Sequence, residues 1–493
     1  MNNFDSLGIQ NQLETIVSEA RGKFDRILSF SLMAQPSAPH KFEKQLFQML
    51  LELGRFLLQI FFISFGNGDE GKEILNDKGE NLKRYRLRKI DYISIFGSVE
   101  IDRYYYWSRG IDGFCPLDGE LNLPERVYSY YLQEIAVRHG VGETYDESLQ
   151  KIEDTFGIRL SPRSIMDIML DSSRNADVFR DEQSAPVDDK EVLVVSVDGK
   201  GVPMRKEYLS RKKTRLGRGQ KNQKKKISSV AAVYTIKKNV RSAGDILEKP
   251  VDSEKIISPR PCAKRIRARL GDKFEKENFI KDVKAEADKR VTKSDKLKVF
   301  LCDGERFYWN MKNKYFRDYV GVLDLYHVME KLWNFSHCFK AEGSPEAKDL
   351  VAICLRMLLS DNASGCIRFM TTASLKNGLS KARRKTISGI IGYLKRNIEN
   401  MRYERCLSMG IPIGSGNVEA ACKNLVKDRM EGCGMRWCRN GADAILALRA
   451  IYLNGDISEY FEYHIERERK RLYGETTGWK RDEVTATSEK RAA

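Results

Sequence analysis

Two apolar runs in this chain end on the same dipeptide: "VLVVSVDG" at 192–199 and "KVFLCDG" at 298–304. Each is β-branched and too short for a helix, which predicts buried strands, and each carries its first acid where the apolar character stops. Between and after them, "ISSVAAVYTI" at 227–236 reads as a second strand. A third is expected in the charged stretch before 272, and "KFEKENFIKDVKAEADKR" is helical. "YVGVLDLYHVMEKLW" then runs a further strand into Asp324, with His327 opening a helix. The order strand, strand, expected third strand, helix, strand, helix, strand, helix reads as an α/β domain.

The flanking segments have other periods. Residues 1–90 read as a helical N-terminal region that closes in the polar loop "GNGDEGKEILNDKGENLKRYR". The run 91–124 holds a β-hairpin and linker, since "YISIFGSVEIDRYYYW" alternates around a Gly-Ser turn. Its Tyr104, Tyr105, Tyr106 and Trp107 have two readings, stacking on bases or packing against a neighbouring domain, and aromatics most often pack. Residues 125–185 look helical, and "YDESLQKIEDTFGIRLSPRSIMDIML" reads as helix, Gly turn and second helix with Ser161 and Pro162 at its start. That is a helix-turn-helix pattern, and Arg159, Arg163 and Arg174 would be available to phosphates. The α/β core occupies 190–335, a helical and basic insertion 336–405, a last core segment 406–465 and a charged tail 466–493.

Lys plus Arg number 86 against 69 Asp plus Glu, a net charge of +17, which favours a polyanionic partner and points to nucleic acid. Eleven of these cations lie in "RKEYLSRKKTRLGRGQKNQKKK" at 205–226, against the single Glu207. Arg211, Lys212, Lys213, Arg215, Lys224 and Lys225 are therefore expected DNA contacts. The ten cysteines lack the paired short spacings of a zinc site, and the N-terminus has neither a basic nor an apolar leader region. Reduced thiols in a cytoplasmic protein are expected. The apolar run at 45–66 is interrupted by Glu52, Arg55 and Gln59, so it is read as a packed or oligomerising helix and no membrane partner is expected.

In "IPIGSGNVEAACKNLVKDRM", Ser415 is an N-cap candidate and Val418, Ala421, Cys422, Leu425 and Val426 form a helical stripe. Glu419 falls on the margin of that stripe, one position too late for a capping box. Asp198, Asp303 and Glu419 together suit phosphodiester chemistry, in which carboxylates hold two Mg²⁺ ions (Mn²⁺ can substitute) that activate the attacking oxygen and stabilise the leaving one. Asp198 on a central first strand, Asp303 on the adjacent fourth strand and Glu419 would form the set. Asp324 also ends a strand and stays open as the alternative second acid. Downstream, Arg429 and Arg436 are candidates for phosphate and Trp437 for a flipped base, with core and surface positions an equal alternative for all three.

The segments "VDGKGVPM", "CDGERFYW", "LDLYHVMEKLW", "GSGNVEAACKNLVKDRMEGCGMRW" and "GADAILALRAIYLNGD" resemble the motif series of bacterial insertion-sequence transposases of the ISKra type, distant relatives of Mutator-like elements. The likeness covers most of 90–465 and takes in "PLDGELNLP" near 116–124. It implies a ribonuclease H-like catalytic domain with an all-α insertion before the Glu, and it carries the family's DDE triad onto Asp198, Asp303 and Glu419. The implied activity is a DNA transposase that binds terminal inverted repeats, cleaves a strand and transfers its 3′ end to target DNA as a homo-oligomer. Glu305, after the second Asp-Gly, departs from the neutral residue common in relatives. Only Cys115 stands where relatives carry a cysteine cluster near the hairpin, so no zinc is expected.

Overall fold

Two long helices open the described chain, α1 (Asn3–Met33) and α2 (Pro39–Ser64), packed through Ala20 and Ile27 and pinned by a 2.5 Å Lys23–Glu52 ion pair. The computed structural model describes residues 3–33, 38–76, 78–186, 190–205, 207, 225–247, 259–290, 296–375 and 378–474. They fall into two units, Met1–Asn175 with Ile457–Ala493, and Ala176–Asp456.

In the first unit a four-stranded antiparallel sheet follows α2, in the order β1 (Glu73–Leu75), β2 (Asn81–Ser94), β3 (Gly97–Ser108), β4 (Ile111–Phe114). The helical region therefore ends at Ser64, and the loop expected before residue 90 contains β1 and half of β2. Those strands were hidden because Lys83, Tyr85, Arg86 and Leu87 are all exposed, which erases the one-sided alternation that marks a half-buried strand. Phe62 of α2 packs with Val99, Ile101, Leu117 and Leu123. Four helices complete this part, α3 (Pro116–Glu120), α4 (Tyr130–Gly140), α5 (Tyr145–Phe156) and α6 (Pro162–Ser172). α5 starts at a Thr144/Glu147 capping box and stops at Gly157 in the left-handed region (φ 70°). Ser161 caps α6 by accepting the Ser164 N–H. Arg159 and Arg163 are exposed but paired with Glu153 and Asp167. Arg174 is bound to Glu468, Glu125 and Asp171, so of the three arginines expected at phosphates it is the least available.

The second unit opens with α7 (Ala176–Glu182), inside the segment 125–185 read as helix-turn-helix. Its sheet comprises β5 (Val192–Pro203), β6 (Lys225–Ile236), β7 (Cys262–Leu270), β8 (Leu297–Cys302) and β9 (Val320–Leu323), in the order β7-β6-β5-β8-β9. β6 runs antiparallel to both of its neighbours, β5 and β7, and β8 and β9 run parallel to β5. The first strand is thus central and the fourth lies beside it. β5 does not stop at Asp198: its pairing with β6 continues to Pro203↔Lys225, whereas its parallel pairing with β8 ends at Val197↔Cys302. Three helices lie among the later strands, α8 (Gly244–Leu247), α9 (Lys273–Asp288) and α10 (Arg306–Tyr315). Leu193, Val195 and Val197 face Phe279, Ile280 and Val283 of α9. By strand alternation Val194, Ser196 and Asp198 take the opposite face.

After β9 come α11 (Leu325–Ser336), α12 (Pro345–Leu359), α13 (Ala363–Ser374), α14 (Lys381–Arg396) and α15 (Tyr403–Ser408), an all-helical block. The helix bearing Glu419 has three parts, α16 (Gly416–Ala421), a π-helical turn (Cys422–Lys427) and α17 (Asp428–Met430), and α18 (Arg439–Asn454) follows. The last helix, α19 (Ile457–Tyr473), groups with the first unit, where Tyr460 donates to the Ser172 carbonyl and Asn175 and Arg174 bind Glu468. The charged tail expected from 466 therefore begins as ordered helix, held by Glu466–Arg469 and Glu468–Arg471 pairs.

Burial lowers His464 of α19 to about 4, and Asn175 Nδ2 lies 3.0 Å from its Nδ1, a position suited to a neutral ring nitrogen. The unfolded chain takes up that proton near 6.5. Stability linked to neutral His464 is therefore present above pH 6.5 and is lost as pH falls toward 4. Urea unfolding of the wild type should lose roughly 2 kcal/mol between pH 7 and 5, and His464→Gln should remove most of that dependence.

Candidate functional site

Asp198 and Asp303 occupy neighbouring places because the parallel register that pairs Val197 with Cys302 delivers both acids one residue later. Asp198 Oδ1 accepts its neighbour's N–H from Gly199 at 2.6 Å, and Oδ2 lies 3.3 Å from the Cys422 thiol, which donates to it. Burial raises the Asp198 carboxyl above the usual carboxylate range, and the charge of Asp303 adds to the rise. Asp303 begins a tight turn in which its Oδ1 accepts the Glu305 N–H at 2.9 Å. Gly304 has φ +92°, and a Cβ there would meet Leu323 and Tyr393 at 3.0 Å. Tyr393, from α14, donates to the Asp303 carbonyl at 2.8 Å, so the helical block braces this turn.

Glu419 lies on the first turn of α16. Ser415 does not cap that helix through its side chain; its Oγ donates instead to Glu419 Oε1 at 2.9 Å. Burial raises Glu419, with the charges of Asp324 and Asp198 contributing. Val418, Ala421, Cys422, Leu425 and Val426 are all buried, and the π-helical turn follows directly after Ala421. Such turns recur at functional sites because they re-aim the side chains around them.

Asp324 is fully buried and both its oxygens are engaged. Oδ1 accepts from the Ser415 N–H (2.7 Å) and the Tyr326 N–H (3.3 Å), and Oδ2 from the His327 N–H (3.1 Å) and Nδ1 (2.5 Å). Burial pushes this carboxyl upward, yet the bonds from His327 and Ser415 outweigh it and its pKa is lowered. The same bond lifts His327 to about 9 against the cost of its own burial. Asp324, His327 and Glu419 place one ligand atom each within 4.8 Å of one another, which by distance alone is a possible cation site. Chemistry argues otherwise for Asp324: its lone pairs already serve four donors, and the imidazole beside it favours its proton.

Asp198, Asp303 and Glu419 differ in this respect. Among the described residues none of the three forms an ion pair, although the chain carries 17 excess positive charges. Asp198 feels the charge of Asp303 and Glu419 that of Asp198, but among the described residues only Asp324, His327 and Glu419 bring ligand atoms within 4.8 Å of one another, so a cation would have to draw the three acids together; as hard oxygen ligands they suit Mg²⁺ or Mn²⁺. Glu305 also stays beside the site, its Oε2 against Gly199, but unlike the three it has a cation, Lys276 Nζ at 3.5 Å.

The basic residues fare less uniformly. Arg211, Lys212, Lys213, Arg215 and Lys224 lie outside the described residues, and Lys225 begins β6 paired with Glu431 at 3.0 Å. Arg436 is exposed. Arg429 and Trp437, expected at DNA, are instead buried: the guanidinium sits 5.0 Å from the indole centroid, and the indole N–H donates to the Met430 carbonyl. Trp437 also exchanges backbone bonds with Pro203 and Arg205, so this pair fastens the chain after α17 to the end of β5. Cys422, Ser415 and Tyr393 were missed as site residues. Cys422 was findable, since it follows Glu419 by three positions on one helix, whereas nothing in sequence links Tyr393 to Asp303.

No protein-family model matches the chain, and no curated protein is detectably similar to it. If the three carboxylates hold a divalent cation, Mg²⁺ or Mn²⁺ will raise the thermal midpoint of the wild type with a saturating dose response. Asp198→Asn should raise the midpoint without metal, by relieving repulsion, and abolish the response to it. A wild type indifferent to both ions would remove the metal reading.

Proposed function

We propose that this protein is a DNA transposase of the DDE type, with Asp198, Asp303 and Glu419 as its catalytic acids. The observation that carries the reading is their placement without ion pairs, Asp198 and Asp303 on the central and adjacent parallel strands and Glu419, within reach of the Asp198 charge, on a helix that follows a long helical block. A sheet ordered β7-β6-β5-β8-β9 supports the ribonuclease H-like assignment that the sequence resemblance implies. When bound, Mg²⁺ supplies Lewis-acid activation of an attacking oxygen and neutralises charge on the leaving one.

The chain's own groups do the positioning. The Gly199 N–H and the Cys422 thiol orient the Asp198 oxygens, the Glu305 N–H and Tyr393 fix the Asp303 turn, and Ser415 aims Glu419. His327, protonated and held by Asp324, is a cation beside the acids and suits a DNA phosphate. In-line attack treats water and a 3′-hydroxyl alike, so one site serves cleavage and strand transfer. The substrates are double-stranded element ends and target DNA, drawn to the chain by its positive charge. The setting is cytoplasmic, on the nucleoid.

α2 supports assembly of a synaptic homo-oligomer. It is long and apolar enough to span a membrane by length and composition, yet only 6% of its most apolar window is buried. Phe47, Leu50, Leu57 and Phe61 form an exposed row at coiled-coil spacing, while Leu51 and Phe62 pack inward. Glu52 and Arg55 disfavour a lipid environment.

Transfer of a marked mini-element from a donor plasmid tests the activity. Asp198→Ala, Asp303→Ala and Glu419→Ala should each lower transfer by at least about a thousandfold with DNA binding retained. Asp324→Asn should act through position, lowering transfer less. Binding without transfer by the wild type would leave a non-catalytic DNA-binding protein, and cleavage without transfer a nuclease. Separately, Leu50→Glu with Leu57→Glu should convert an oligomer to monomers in sedimentation velocity, and an unchanged mass would eliminate α2 as the interface.

A further inference from the structure

The aromatic run on β3 is divided by the fold. Tyr106 is fully buried, its hydroxyl donating to the Gly71 carbonyl at 2.9 Å and accepting the Glu70 N–H at 2.8 Å. Trp107, the next residue, is 40% exposed. Across the sheet the β2 register shifts between Arg84 and Arg86, and the extra residue, Tyr85, is 59% exposed. A bulge re-aims the side chain it inserts, and here it brings Tyr85 to Trp107, with ring centroids 5.7 Å apart and planes at 57°.

Cations surround the two rings. The Arg86 guanidinium lies 5.6 Å from the Tyr85 centroid, and Lys83 is the cross-strand partner of Trp107. Arg109, exposed, follows two residues after Trp107. Lys83 has only a loose 3.8 Å contact to Glu73, and among the described residues Arg86 and Arg109 form no ion pair. Two large exposed rings interleaved with three cations, two of them without an ion pair among the described residues, match a polyanion that also presents flat apolar faces. A lipid surface offers the charge without the flat faces, and an acidic peptide offers few rings to stack. We infer that the open end of the β2–β3 hairpin binds a DNA strand with unpaired bases, Tyr85 and Trp107 stacking on bases and Lys83, Arg86 and Arg109 holding phosphates.

This inference rests on the transposase reading for its biological setting, where strand cleavage creates frayed ends, but its chemistry is separable. The test is fluorescence anisotropy of labelled oligothymidine with the full chain across a salt series. Tyr85→Ala and Trp107→Ala should each weaken binding about tenfold with the salt slope unchanged. Trp107→Phe should restore most of the affinity, and Arg86→Gln should lessen the slope by about one counterion. Variants that keep the wild-type melting temperature and bind like the wild type would overturn the hairpin site and leave the transposase reading intact. Binding that depends on the hairpin, from a wild type as inactive in transfer as Asp198→Ala, would uphold the site and sink the catalytic reading.

Discussion

A carboxylate with no access to water must be satisfied from within, and Asp324 meets that requirement with four donors from two parts of the chain. Two of its bonds cap α11, one fixes the His327 ring, and one reaches the Ser415 N–H at the entry to α16. Beside it the Leu325 N–H donates to the Ile413 carbonyl. The helix that carries Glu419 is therefore registered against the end of β9 by a buried charge and a backbone bond. Removing that charge would free a loop whose position decides where Glu419 points, which is why Asp324 looks like a ligand by distance and behaves as a keystone by chemistry.

The three acids pull the other way. Burial and neighbouring negative charge disfavour the ionised forms of Asp198 and Glu419, so the fold holds them at a cost met elsewhere, in the apolar packing of β5 and β8 against α9 and α10. Leu193, Val195, Val197 and Phe300 are fully buried there, and rigid strands can hold repelling groups where a loop would splay. The helical block adds to this rigidity by sending Tyr393 onto the Asp303 turn and Tyr403 onto the Leu323 carbonyl.

Much of the second unit was legible because β5, β6, β8 and β9 each contain an apolar run, although β5 continues past its acid and the basic β7 gave no such run. The sequence order of strands, the positions of Asp198 and Asp303 and the Glu419 helix could all be read from local pattern. Asp324's exhaustion of its lone pairs could not, since Ser415 lies far away in sequence. Arg429 and Trp437 misled for a related reason: a guanidinium over an indole looks the same in sequence whether it meets DNA or its own chain. In the first unit, β1 was unreadable because it is three residues long and β2 because Tyr85, Arg86 and Leu87 in succession are exposed on both faces, and α19 because its charges suggest a solvated tail when they form a set of ion pairs.

α19 is made last among the described elements, yet it belongs with residues made first. During synthesis the first unit emerges without the helix that receives Arg174 and Asn175, and the whole second unit must be translated before that helix exists. Until then Glu468 and His464 are missing from the interior they will occupy. Completion of the first unit therefore waits on closure of a loop as long as the whole second unit, an entropic cost that its contacts with α19 must offset.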